Sequence, residues 1–256
     1  MRSDIGSDDM HASLPVQRRL EVVATSLADV RAAVEGGADR LELAGSHTAQ
    51  GATTPSLGFM ATSRRLAPRI SLVAMIRPRL GSFVYAPDVV EQMEIDIAAA
   101  RSAGLEGVMF GAVTAEQTLD TKMMERLLLA AAGLRVCINM AFDRCQDPFE
   151  ALRWLIQDGR VERVLTAGGA ATALAGQGRI SELLDRSAGR VTIMPGTGID
   201  TDTLPELLRA VPAIAEVHVS AGARSSAAGG WVDAEVVAQL RRQLEQPLAA
   251  GVPAAP

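Results

Sequence analysis

Two glutamates lie in apolar runs where a charge is out of place. Glu21 sits in Leu20-Glu21-Val22-Val23, and Glu42 in Arg40-Leu41-Glu42-Leu43. An unpaired carboxylate buried in such a run is strongly penalised, so each predicts a polar partner, a use, or both. Arg77, just after Leu72-Val73-Ala74-Met75-Ile76, is the expected counter-ion. One glutamate then serves as general base or acid, with Arg77 fixing an anionic substrate. The alternative is a buried Glu–Arg cluster that only ties neighbouring strands together. His218, in Glu216-Val217-His218-Val219-Ser220, adds a side chain that titrates near neutrality. Strand alternation puts it on one face with Glu216 and Ser220, as a proton shuttle or as a histidine satisfied by a neighbouring carboxylate.

Three glycine-bearing turns offer a place for an anion. They are Thr166-Ala167-Gly168-Gly169-Ala170, Met194-Pro195-Gly196-Thr197-Gly198 and Ser220-Ala221-Gly222-Ala223-Arg224. Glycines let backbone N–H groups approach a phosphate or carboxylate, and a following helix adds its positive end. The plainer reading is three tight turns. Asn139 and Asp143 are further polar candidates, and Tyr85 beside Phe83 either lines a pocket or packs under its loop. Met123-Met124 reads as helix core, since a helix needs apolar faces. His11 and His47 read as exposed.

These residues need a frame that brings them together. Eight short apolar runs, centred on Glu21, Glu42, Val73, Val108, Val136, Val164, Ile193 and Val217, recur at intervals of 21 to 35 residues. Each interval suits one crossover helix, which makes the strands parallel. Helix signals fall in the gaps: Ser26 as N-cap with Gly36-Gly37 as stop, Pro87-Asp88 as start with Gly104 as stop, and Asp147-Pro148 as start with Gly159 as stop. A last helix is expected from Asp233 to about Leu244. Eight strand–helix units predict an α/β fold, a single-domain (β/α)8 TIM barrel over residues 19–246, in which reactive groups gather at the C-terminal ends of the strands. Residues 1–18 and 247–256 read as flexible tails.

Composition narrows the function classes. Of 256 residues, 48% are apolar and 21% charged, which suits a globular protein. A net charge of −5 without a basic cluster argues against a nucleic-acid partner. No apolar run reaches a membrane span, and the N-terminus lacks the apolar segment of a secretory signal, so a cytoplasmic location is expected. The only cysteines, Cys137 and Cys145, form neither a CxxC pair nor a zinc motif.

The same residues resemble the CutC family, named for copper homeostasis. The similarity runs from about Leu20 to Ser220 and includes Gly36-Gly37-Ala38-Asp39-Arg40-Leu41-Glu42-Leu43, Thr54-Pro55-Ser56-Leu57-Gly58, Met75-Ile76-Arg77-Pro78-Arg79, Ala141-Phe142-Asp143, Leu165-Thr166-Ala167-Gly168-Gly169 and Met194-Pro195-Gly196-Thr197-Gly198. The resemblance implies a (β/α)8-type barrel, a cytoplasmic homo-oligomer and a link to Cu(I). Glu21, Glu42, Arg77, Asp143 and His218 match family positions. Where the family commonly carries cysteine, this chain has Val23, Ala44 and Val84, and where it carries a His-Arg pair, Asn139-Met140. Soft thiolates select Cu(I), so Cys137 and Cys145 are left as the candidate metal ligands. Three functions follow: a copper-homeostasis protein, a barrel enzyme doing acid–base chemistry on a small anionic or phosphorylated metabolite, or a non-catalytic binding or assembly protein.

Overall fold

The computed structural model describes residues 17–48 and 51–246. The expected tails lie outside the described residues except for Gln17 and Arg18, as does His11.

Strands and helices alternate along the chain. The first units are β1 (Arg19–Ala24), α1 (Leu27–Glu35) and β2 (Arg40–Leu43), followed by a short hairpin of β3 (His47–Thr48) and β4 (Gly51–Ala52), then α2 (Leu57–Leu66). The middle units are β5 (Ser71–Met75), α3 (Pro87–Ser102), β6 (Gly107–Phe110), α4 (Thr121–Ala130), β7 (Arg135–Ile138) and α5 (Pro148–Asp158). The chain continues through β8 (Arg163–Thr166), α6 (Gln177–Ser187), β9 (Thr192–Pro195), α7 (Thr203–Ala210), β10 (Glu216–Val219) and α8 (Ala234–Glu245). Among the described residues, no helix is long and apolar enough to cross a membrane.

Eight of the strands form one parallel sheet in the order β10-β1-β2-β5-β6-β7-β8-β9. A parallel bridge between Gly196 and His218 joins its two ends. This is the expected (β/α)8 TIM barrel. The hairpin of β3 and β4 was not foreseen, because two-residue strands carry no readable period.

The expected caps hold their helices. The Ser26 hydroxyl accepts the Asp29 N–H, and the Asp147 carboxylate accepts the N–H groups of Phe149 and Glu150. Pro87 occupies the first turn of α3, where no N–H is needed, and Gly159 ends α5 in the left-handed conformation.

Alternation along each strand splits the interior into two cores. Leu20, Val22 and Ala24 of β1 join the large shell between sheet and helices, with Val30 and Ala33 of α1. Met124 of α4 belongs to that shell too, as expected of helix core. The other face of the strands fills the barrel lumen with a smaller cluster that includes Val23, Ala44, Val73, Met75, Met109, Cys137, Leu165 and Met194. Both Glu21 and Glu42 are buried on this lumen-facing register. The helix layer would give their charges no partner.

Candidate functional site

Parallel register brings the polar lumen residues into contact. Glu21 lies opposite His218 of β10 on one side and opposite Arg40 of β2 on the other. Val23, one inward position further along β1, lies opposite Glu42. Three adjacent strands therefore deliver Glu21, Glu42 and His218 to one spot, and all three are buried.

Glu21 is fully engaged. Its Oε1 lies 2.7 Å from Nδ1 of His218, and its Oε2 accepts a hydrogen bond from Nε of Arg40. Burial alone would raise the Glu21 carboxyl, but Arg40 and His218 outweigh it and hold the group at about 2. Arg40 continues the network to Glu216 Oε2 at 2.8 Å, and Arg163 donates to the same oxygen at 2.7 Å. The counter-ion of Glu21 is thus Arg40, not Arg77. Arg40, Arg163 and Glu216 escaped the site reading. The available signal was the alternation of Arg40 with Glu42 in one four-residue strand, which puts both on the lumen face.

Glu42 is not satisfied in this way. Its Oε2 lies 3.6 Å from Nε2 of His218, and its buried Oε1 has no hydrogen-bond partner among the described residues. Burial pushes the Glu42 carboxyl up to about 7; the His218 charge opposes this and the Glu21 charge adds to it. Burial would lower the imidazole of His218, but the carboxylates of Glu21 and Glu42 more than reverse that and raise it. An ionised Glu21 can only accept, so Nδ1 of His218 carries a proton, and Nε2 is the atom turned toward Glu42. At 3.6 Å the two are not hydrogen-bonded, so a proton passes between Nε2 and Glu42 through a bridging water or bound molecule.

The remaining candidates fall elsewhere. The Arg77 guanidinium donates to the Gly81 carbonyl at 2.7 Å and stacks over the Phe83 ring, 4.3 Å from its centroid. Tyr85 and Phe83 are buried, so they pack under the third loop. Asp143 binds the chain's own backbone: it accepts from the Ala167 N–H at 2.7 Å, from the Thr166 hydroxyl and from the Gly169 N–H. The Gly168 N–H donates to Thr166 Oγ1 at 2.8 Å. The first glycine turn therefore spends these donors internally. Asn139 accepts the Ala141 N–H at 3.0 Å. His47 is half-buried, not exposed, and its imidazole is lowered by burial and then by the charge of nearby His218.

The second and third glycine turns do frame a space. Thr197, Gly198, Ile199, Asp200, Ser220, Ala221 and Gly222 line a cleft of about 240 Å³ whose floor includes His218. Gly196 sits beneath it, where an added Cβ would come within 2.5 Å of Leu165 and 3.2 Å of the His218 ring. A side chain there would push Leu165 aside and crowd the histidine ring.

The comparisons with known proteins give the family and the same fold. The CutC family's sequence profile matches residues 18–223. The chain belongs to the CutC family. A CutC protein of Rhizobium meliloti (strain 1021) is 44% identical over 201 residues, covering 78% of this chain and 80% of that one. A CutC protein of Porphyromonas gingivalis (strain W83) is 44% identical over 191 residues, covering 75% and 76%. The solved CutC structure from Streptococcus agalactiae, a protein named for copper homeostasis, superposes with a TM-score of 0.73 at 28% identity, over 78% of this chain and 97% of that one. A phosphoribosyl anthranilate isomerase from Thermococcus kodakaraensis, at 18% identity and TM-score 0.58 over 90% of this chain and all of that one, shares the fold alone.

The thiolate site that would select Cu(I) is missing from the positions where the resemblance places cysteines. Val23 and Ala44, which stand at positions the resemblance matches to cysteines, put aliphatic side chains into the lumen, and Val84 is exposed in the third loop. Cys137 lies in the lumen cluster while Cys145 belongs to the outer shell, so the two thiols do not form one site. Burial pushes the Cys137 thiol well up and the Cys145 thiol to about 11, so neither is a ready thiolate. Met194 has its sulfur 3.1 Å from the Arg40 guanidinium, a cation that repels Cu(I).

Proposed function

We propose that this CutC-family chain serves copper homeostasis not as a copper carrier but as a barrel enzyme. It moves a proton on a small anionic molecule bound at the C-terminal mouth. The observation that carries the reading is the unpartnered Oε1 of buried Glu42 beside Nε2 of His218. A buried carboxylate without a partner costs stability, and sites of chemistry are where such a cost is retained.

Each part of the mouth has a role in this reading. Glu21 fixes the His218 ring and its tautomer through Nδ1. His218 faces both the cleft and Glu42, so it touches a bound molecule and exchanges a proton with it or through Glu42. The N–H groups of Gly198 and Gly222, on the cleft wall, donate to no acceptor among the described residues and are left for the anion. The Asp200 carboxylate on the same wall is already taken by the N–H groups of Asp202 and Thr203, which lessens its repulsion of an anion.

The test is hydrogen exchange. Chain incubated in D2O with a panel of small carboxylates and phosphate monoesters is expected to label one carbon of one of them. Glu42→Gln and His218→Gln proteins are expected to do so about 100-fold more slowly or worse. Ligand binding without exchange, or exchange that survives both substitutions, sinks the reading.

A further inference from the structure

The donors that reject Cu(I) are well matched to a different cation. Among the described residues, one group of His, Cys, Asp and Glu side chains brings three donors together: Glu21, Glu42 and His218, with ligating atoms within 4.8 Å of one another and all three side chains buried. Their contacts divide the roles. Glu21 has one oxygen on His218 Nδ1 and the other on Arg40, so both its oxygens are already hydrogen-bonded. Glu42 has an oxygen with no partner, and His218 turns Nε2 toward it.

We propose that Glu42 and His218 together bind a divalent cation of nitrogen- and oxygen-ligand preference, Zn2+ or Co2+ in kind, at the floor of the mouth cleft. The inference does not rest on the proton-moving reading, which uses the same two side chains in the cation-free chain. Two donors, each about 2.1 Å from one ion at a tetrahedral angle, stand about 3.4 Å apart. The observed Nε2 to Oε2 separation is 3.6 Å, too long for a hydrogen bond and close to what a shared ion requires. The free Oε1 of Glu42 supplies a third donor atom when the carboxylate binds through both oxygens. Glu21 completes a carboxylate–histidine–metal arrangement, in which the far nitrogen of the ligating imidazole is held by an acidic partner. It is a positioning residue. The cleft beside His218 leaves coordination positions for water or for an anionic molecule. Imidazole with carboxylate suits Zn2+ and its neighbours, whereas Cu(I) calls for thiolate or thioether.

The experiment is a titration of chelator-treated full-length chain with Co2+, followed by visible ligand-field absorption, then displacement with Zn2+. One equivalent is expected to bind the wild type. Affinity is expected to fall at least about tenfold in Glu42→Gln and in His218→Gln, with a smaller loss in Glu21→Gln and none in the Cys137→Ser/Cys145→Ser double variant. Thermal unfolding of each variant establishes that it is folded, and Glu42→Asp, which shortens the reach and keeps the charge, stands in should Glu42→Gln fail to fold. Absence of Co2+ and Zn2+ binding to folded wild type overturns the proposal. So does binding that survives both the Glu42 and His218 substitutions, or a sulfur-to-cobalt absorption band that disappears with the cysteines. Cation binding without carbon–hydrogen exchange would sink the enzyme reading alone. Exchange by a chain that binds no cation would sink this proposal alone.

Discussion

His218 Nδ1 stands 2.7 Å from Glu21 Oε1, although the residues are 197 positions apart in the chain. The contact lies beside the seam at which the barrel closes: His218 pairs with Glu21 of β1 on one side and bridges Gly196 of β9 across the seam on the other. Seam and site are built from the same residues. Only a closed barrel orients the histidine, so its chemistry depends on the whole fold being in place.

Removing the Glu42 charge is expected to stabilise the protein, and only above mildly acidic pH. Its carboxyl ionises at about 7 in the fold against 4.5 ordinarily. Between those values the unfolded chain binds fewer protons than the native one, so stability falls as pH rises through this window. His218 and Glu21, the titratable groups facing Glu42, remain in the variant, and the raised imidazole of His218 adds a loss of the same sign with rising pH. Glu42→Gln is expected to gain about 1–3 kcal/mol over wild type at pH 8 and little at pH 4. Urea unfolding in the presence of a chelator checks this. A gain that is equal at both pH values refutes it.

Arg40 is expected to be among the costliest lumen residues to lose. It neutralises both Glu21 and Glu216 out of water, and His218 and Arg163 compensate only part of what remains. Arg40→Met is expected to cost about 3–5 kcal/mol, because it leaves buried carboxylates short of a cation. The Arg77 guanidinium bonds the Gly81 carbonyl and stacks on Phe83, and Arg77→Met is expected to cost clearly less. Denaturant unfolding of the two variants side by side decides the order.

Asp143 is expected to act on the loop after β8 and not on chemistry. Its carboxylate holds the N–H groups of Ala167 and Gly169 and the hydroxyl of Thr166. Asp143→Ala is expected to lose about 1–3 kcal/mol and to speed amide hydrogen exchange at Ala167 and Gly169. Unchanged exchange at those two amides would show that the loop holds itself.

Thr197 carries backbone strain beside the cleft, a β-branched residue at φ +75°. The left-handed conformation costs an L-residue about 1–2 kcal/mol, which glycine avoids at some entropic expense. Thr197→Gly is expected to raise stability by about 0.5–1 kcal/mol, read as a higher Tm. A lower Tm would mean that the threonine side chain makes contacts worth more than its strain.

By itself the sequence determined what local chemistry controls. Period-two alternation set Glu21, Arg40, Glu42 and His218 on the inward face of their strands. Ser26, Asp147, Pro87 and Gly159 marked helix ends that the structure keeps. Eight runs at crossover spacing defined the barrel, because a parallel strand pair needs a helix-length return.

Tertiary structure alone decided who meets whom. Arg40 rather than Arg77 became the partner of Glu21 because register sets those two side by side on neighbouring strands, whereas Arg77 lies past the end of β5. Asp143 reached the loop of the next strand and filled amides that looked free for an anion. Cys137 and Cys145, eight residues apart in the chain, ended in different layers of the barrel, since one belongs to an inward strand position and the other to a turn packed under the helices. Periodicity tells which way a side chain faces. Register and barrel closure, which depend on all eight strands together, decide what it finds there.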